Sequence, residues 1–485
     1  MQTGNNKRLG RPIAVHEPRF ANRGFKPEHG VSWDASSREL LRKSSDRHFG
    51  PRVQRAFGHS AASRRAISLV ASLAILAIVL SWLSVALRWS SVSIVGDLRG
   101  GEFFYRLVSD DSRAERILRL FALALFVPAG VFSALQPGRP RLPRLAVFLF
   151  AAMLLDCLFW CLVGYKPSEY WPELIGATSP FIFMMCLGVF AGFDPSLWPK
   201  LRPIVLAIAY GSAVLGVYYT ARWTTSGNFE GSTPTIDHLQ IAFWFGLCSL
   251  VLRKSSRWHD CVPALIPIAL CIPMAVISNS RSFSLLAILG LLTGLLVTLQ
   301  GRRRLSAGRV VAICFLTALS VGIGLWLLFL ASPERVLSLN DRLTEDSRSS
   351  QYTQFFGQVP ATSLIAGLGP RATYTFNDQA DYEYIDNQFL FILFKFGLPV
   401  LFGYGAVIIY PGLRLLLKRG RRSQWVLGVV FLLWTLAGLG LSIYQNITVT
   451  PPNLLIILLA GWCWGRWHQD HVRAHRSQLM KPASQ

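Results

Sequence analysis

Residues 66–87 read AISLVASLAILAIVLSWLSVAL, with Arg64-Arg65 before them and Arg88 after. The run carries no charge. As a helix rising 1.5 Å per residue it reaches about 33 Å, enough to cross ~30 Å of hydrocarbon. Inside lipid every backbone N–H and C=O needs an internal partner, which a helix supplies within one segment. Outward from this run the pattern recurs at about 117–136, 145–163, 175–193, 203–220, 236–252, 262–278, 282–299, 310–331, 388–413, 425–443 and 453–467. The expected fold is an all-α polytopic membrane protein of about twelve transmembrane helices with one large outer loop. Composition agrees: over 485 residues 52% are apolar and 15% charged, where a soluble chain carries roughly 25% charged residues.

Charge sets the expected orientation. Lys and Arg number 49 against 26 Asp and Glu, a formal +23. In a soluble protein that excess would suggest nucleic acid. Here it follows the bias of Lys and Arg toward cytoplasmic loops. Basic connections at 137–144, 253–260, 300–309 and 414–424 alternate with cation-poor ones at 164–174, 221–235 and 444–452. The exception is 88–116, where five arginines face five acids. The alternation places both termini in the cytoplasm and leaves nucleic acid unnecessary as a partner. Residues 1–65 hold fourteen Lys/Arg against five acids and no sustained apolar period, so they are expected to form a largely disordered cytoplasmic tail. They are too long and polar for the leading part of a cleaved signal peptide. Membrane helices one to nine are expected over 66–331, a large periplasmic loop over 332–387, helices ten to twelve over 388–467, and a second cytoplasmic tail over 468–485. The eight cysteines lie in or beside apolar runs with no C-x-x-C pair. They read as small buried hydrophobes rather than as a zinc or disulfide framework.

Motifs for nucleotide, zinc-protease and serine-hydrolase chemistry are absent. His468 and His471 form an H-x-x-H in the basic tail, where a solvated role accounts for them. The informative residues are arginines on the outer face, where topology does not ask for them. Ser280-Arg281-Ser282 joins two apolar runs, and Arg222 closes another before a polar loop. An arginine deep in a membrane costs at least about 2.5 kcal/mol. Arg281 is therefore either an interfacial cation with its head in water or a fixed charge aimed at an anionic headgroup. The large loop carries Asp346-Ser347-Arg348-Ser349-Ser350-Gln351-Tyr352, then Phe355-Phe356, Val359-Pro360 and Gly367-Leu368-Gly369. Residues 347–358 are expected to form a short amphipathic helix with Arg348, Tyr352 and Phe355 or Phe356 on one side. Pro360 ends it, and Gly367 and Gly369 permit a tight turn. An acidic stretch (Asp378, Asp381, Glu383) leads to Asp386-Asn387-Gln388-Phe389-Leu390, with Gly397 eleven residues after Asp386.

In this order and spacing the chain resembles the O-antigen ligase/polymerase superfamily of bacterial envelope polysaccharide assembly. The resemblance covers about 220–400. It rests on Ser280-Arg281 opening a span, on the Arg, aromatic, Pro and Gly-x-Gly string of the loop, and on Asp386-Asn387-x-Phe389-Leu390 followed by Gly397. Where ligases carry a histidine before the Asn, this chain has Asp386, which favours the Wzy-type and exopolysaccharide polymerases. The basic tail is not part of the family pattern. The resemblance implies a GT-C-like glycosyltransferase of the bacterial inner membrane. Its substrate would be undecaprenyl-pyrophosphate-linked oligosaccharide. Membrane lipid and other polysaccharide assembly and export proteins would be its partners, and it would need no metal or cofactor.

That chemistry asks for two things. The departing pyrophosphate gathers negative charge, which arginine holds with paired, permanently charged donors. One charge pair at ~4 Å is worth about 4 kcal/mol at an effective dielectric near 20, on the order of several hundredfold in rate if made only in the transition state. Arg281 and Arg348 are the candidates, with Arg222, Tyr352, Gly367, Gly369 and Asn387 as substrate-binding residues. The acceptor hydroxyl needs a base, for which Asp386 is the candidate, with Glu383 and Asp381 as rivals. The plainer alternative is that Asp386 caps the following helix. Two other functions stay open: a ligase transferring glycan to lipid A core, and a transporter without covalent chemistry. For a transporter, ionisable groups inside the spans are expected, and Asp156 is the clear intramembrane acid.

Overall fold

The computed structural model describes residues 61–90, 92–99, 102–109, 113–136, 141–164, 179–224, 234–253, 258–277, 280–299, 347–383, 385–417, 422–440 and 449–479, with 322 and 326. The expected tail up to residue 60, the run at 310–331 apart from 322 and 326, and the first part of the large loop lie outside these residues. So do the side chains of Arg222, Arg281 and Arg348. What is described is predominantly helical. The first helix, α1 (Ala61–Ser90), begins five residues before the apolar run itself. It is followed by α2 (Arg113–Ala134), α3 (Arg144–Val163), α4 (Leu197–Thr224), α5 (Pro234–Val251), α6 (Trp258–Ile277) and α7 (Arg281–Leu299). Among the described residues five stretches are long and apolar enough to cross a membrane: Ser68–Trp89, Arg113–Ala134, Arg144–Val163, Leu197–Ala221 and Gln388–Leu417. Several shorter apolar helices join them. The protein is a multi-pass membrane protein.

Three features depart from a bundle of plain α-helices. Residues 92–109 form an antiparallel hairpin of β1 (Val92–Arg99) and β2 (Glu102–Ser109), with Val92 opposite Ser109 and Arg99 opposite Glu102. This is the stretch where arginines and acids balance, and no strand is expected there from helical periodicity. The run at 175–193 is a 3-10 helix, Pro180–Phe193, of 14 residues. At about 2.0 Å per residue it reaches about 28 Å, whereas an α-helix of that length would reach about 21 Å.

The third departure is at 388–413, expected to be one span. Helix α10 (Gln388–Tyr404) is broken at Gly397, whose φ of 79° and ψ of −175° are not helical. In a straight helix residues 388 and 404 would stand about 24 Å apart, yet Gln388 Nε2 donates to Tyr404 Oη at 3.5 Å. The two arms of α10 therefore fold back toward one another. A π-turn (Gly405–Ile409) and α11 (Tyr410–Leu417) continue the chain. Gly397 to Leu417 alone keeps the ~20 residues a crossing needs. The bundle closes with α12 (Arg422–Gly440) and α13 (Pro451–Leu479).

Buried side chains form one continuous apolar cluster that includes Phe126, Phe183, Trp244, Phe396 and Trp434. Close helix approach is bought with glycine. Gly192 of the 3-10 helix lies against the Leu458 carbonyl of α13, and Gly461 of α13 lies against Gly192 Cα and the Val189 carbonyl. In lipid such backbone contact replaces the hydrophobic drive as the source of helix association. A leucine at Gly461 must push these backbones apart, a strain of about 1–3 kcal/mol. We expect Gly461→Leu to lower the melting temperature in detergent. Gly357→Ala, where an added Cβ meets nothing within 4 Å, should leave it unchanged, and equal melting of the two variants would refute the packing.

Candidate active site

The large loop enters the described structure as α8 (Ser347–Gln358), with the bounds its sequence predicts. Gln351, Phe355 and Val359 are buried, Tyr352 is half-buried, and Phe356 is exposed. The inward aromatic is thus Phe355. Its ring stands edge-on to Tyr374 and Phe394, both at 5.2 Å. After Pro360 come the short helix α9 (Ser363–Ala366) and the turn at Gly367 and Gly369, with φ of 79° and 97°. Both values lie where only glycine is comfortable. A hairpin of β3 (Tyr374–Phe376) and β4 (Gln379–Tyr382) follows, and the chain then drops to Asp386 and α10.

Asn387, not Asp386, caps α10. Its side-chain oxygen accepts from Phe389 N at 3.0 Å and Leu390 N at 3.1 Å, satisfying two orphan donors of the first turn. The helix does not need Asp386 for its start, which corrects the capping alternative. It also gives Asn387 a structural duty at the start of α10. The backbone N–H of Asp386 donates to Gln351 Oε1 at 3.1 Å. Gln351 sits one turn after Arg348 on the same helix, so α8 and Asp386 are fastened together within a turn of the arginine. Gln351 also hydrogen-bonds the Tyr374 hydroxyl. Burial chiefly, with Tyr382 and Asp386 adding to it, pushes that hydroxyl above its ordinary range. Tyr374 therefore stays protonated at working pH.

Of the rival acids, Asp381 lies on the exposed hairpin with φ of 60° and accepts from Thr373 Oγ1 at 3.2 Å. Glu383 is half-buried and lies within electrostatic range of Lys395. Asp386 is the acid that the α8 contact holds in place. Gly367 and Gly369 serve the turn. A Cβ on Gly367 would meet Gly397 N at 2.6 Å, and one on Gly369 would meet the Trp160 ring at 2.9 Å. Arg281 opens α7, and Arg222 lies in the last turn of α4. Among the described residues no three His, Cys, Asp or Glu side chains converge to hold a metal ion.

Two residues that the sequence reading passed over belong to this region. Gln351 is the link just described. Lys395 is a cation within an apolar run, and it is 0% exposed. Its Nζ donates to the carbonyls of Pro370 at 3.0 Å and Ala372 at 2.5 Å. A lone lysine in an apolar stretch, four residues before Pro399, is the signal that could have found it. No protein-family model matches the chain, and no curated protein matches it.

The cap assignment has a direct check. Asn387→Ala should cost about 1 kcal/mol and speed amide exchange at Phe389 and Leu390. Asp386→Asn should leave exchange at those amides unchanged. Faster exchange in the Asp386 variant alone would return the cap to Asp386.

Proposed function

We propose that this protein is a polymerase of bacterial surface polysaccharide or exopolysaccharide. It joins undecaprenyl-pyrophosphate-linked repeat units by glycosyl transfer at the periplasmic face of the inner membrane. The observation that carries the reading is the contact of Asp386 with Gln351, which brings the proposed base to the helix bearing the proposed pyrophosphate-binding Arg348. The two residues are 38 positions apart in sequence, and the segments that carry them meet through the Asp386 backbone N–H. Capping by Asn387 supports the same reading, since it makes the preceding acid unnecessary to the helix.

In this proposal Arg348 and Arg281 bind the pyrophosphate that leaves as the glycosidic bond breaks. Asp386 takes the proton of the acceptor hydroxyl as the new bond forms. The architecture is GT-C-like, with about twelve spans, both termini cytoplasmic and residues 332–387 periplasmic. Against a transporter stands the state of Lys395, whose ammonium is already engaged by two backbone carbonyls. Asp386 in place of histidine supports polymerisation over ligation to lipid A core.

Reporter fusions at Gly369 and Gln485 should fall in opposite compartments; one shared compartment would sink the topology. Arg348→Ala and Arg281→Ala should each abolish long polymer while the protein accumulates normally. Lysine should rescue only in part, because a point charge lacks the paired donors. Asp386→Asn keeps size and hydrogen-bonding capacity but loses the basic lone pair. Purified Asp386→Asn should bind donor yet leave single lipid-linked repeats unjoined. Normal chain lengths from that variant would remove Asp386 from the reaction.

A further inference from the structure

We infer that Lys395 is the positioning residue of the candidate site: its ammonium straps residues 367–372 across the reversal of α10 and so fixes the arm that starts two residues after Asp386. The strap and its fastening stand on geometry alone; the consequence for glycosyl transfer rests on the polymerase reading.

The reversal creates a deficit that the strap fills. In an unbroken helix the Phe394 carbonyl would accept from residue 398 and the Lys395 carbonyl from residue 399. Gly397 breaks the ladder, and Pro399 has no N–H to give. The strap supplies both donors: Leu368 N to Phe394 O and Gly369 N to Lys395 O, each at 2.9 Å. Lys395 returns the favour, donating to the carbonyls of Pro370 and Ala372. Its charge also lies 5.8 Å from the Phe391 ring and 5.4 Å from the Phe394 ring. Four hydrogen bonds therefore close one small loop onto one helical reversal, and two of them come from a single side chain.

Those two depend on an ammonium. The carbonyls of Pro370 and Ala372 converge on one buried point, and an ammonium offers three donors from one atom. A methionine keeps an unbranched stem against Phe391 and Phe394 but gives neither carbonyl a partner. Arg371 lies between the two bonded carbonyls and is exposed. Cleavage at Arg371–Ala372 requires that backbone to leave the helix, so protection there reports the strap directly. The strapped arm runs from Phe396 back to Gln388, and Asp386 sits two residues beyond its end. A loosened strap displaces the proposed base, and a misplacement of ~1 Å costs about a hundredfold in rate.

The test compares full-length wild type with Lys395→Met, both purified in detergent. Tryptic cleavage at Arg371 is followed by mass spectrometry, and turnover of lipid-linked repeats is measured on the same samples. We expect wild type to resist at Arg371 and the variant to be cut there. Turnover at saturating donor should fall about a hundredfold, with the half-saturating donor concentration unchanged. Equal protection in both proteins would overturn the strap, and cleavage with wild-type turnover would overturn the positioning role. Should Lys395→Met not accumulate, Gly367→Ala tests the strap from the other side. It keeps the lysine but forces a Cβ toward Gly397 N at a φ of 79°, and a variant still protected at Arg371 refutes the inference. A wild type that joins no repeats would sink the polymerase reading, while the cleavage contrast would still decide the strap.

Discussion

Pro399 has no N–H to give the carbonyl of Lys395, and in a membrane-spanning segment no water stands ready to replace it. The missing donor organises the end of the bundle that carries α8. A bare helix break at that depth would strand two carbonyls, each costing about 1–3 kcal/mol if buried without a partner. The chain answers with the amides of Leu368 and Gly369. Those amides come close enough because Gly367 and Gly397 lack side chains where backbone meets backbone, and because Gly369 lacks one where the Trp160 ring packs. Trp160 and Gly164 at the end of α3 support the strap from the bundle side, against Gly369 and Pro370. The break is thus held open by parts from three separate stretches of sequence.

What the reversal achieves is placement. A straight span would carry Gln388 well away from Tyr404; the folded-back arm brings it to Tyr404 Oη, which also accepts from Trp434 Nε1 at 3.3 Å. The arm's other face meets the large loop through Phe394, packed on Phe355 and Tyr374. Residue 386 is therefore fixed from both sides, by the bundle through Gln388 and by the loop through Gln351. Positioning of this kind suits a group that must meet a substrate in one orientation, since effective molarity falls steeply with small displacements.

The features readable in the sequence are those whose signal is local. Apolar runs marked most of the helices, the Ser347–Gln358 helix showed in its own periodicity and in Pro360, and the Gly-Leu-Gly turn followed from the conformations glycine permits. What escaped depends on pairing across distance. Nothing near Lys395 announces that its partners are the carbonyls of residues 370 and 372, and hydropathy alone reads 388–413 as one uninterrupted span. The phenylalanine pair could not be resolved by periodicity, because adjacent positions on a helix differ by only 100° and either can turn inward. The capping choice between Asp386 and Asn387 was a matter of one residue of register, within the usual uncertainty of a helix start. The β1–β2 hairpin failed to register because its stretch was read for charge balance and not for alternation.

The division of labour at 386 and 387 bears on chemistry as well as on register. Either residue type makes a good helix cap. A neutral amide at the cap is indifferent to pH, so the start of α10 holds whether or not the neighbouring carboxylate is ionised. Had the acid been the cap, each proton it gained in a catalytic cycle would have weakened the helix that positions it. Placing the amide at 387 separates the group that holds the structure from the group proposed to exchange a proton. The same separation recurs at the other end of the arm, where Lys395 keeps its charge within backbone contacts while the proposed phosphate-binding charge is assigned to Arg348 on a different element. Structural charge and reactive charge are thereby kept on different residues, and either can be altered by mutation without directly removing the other.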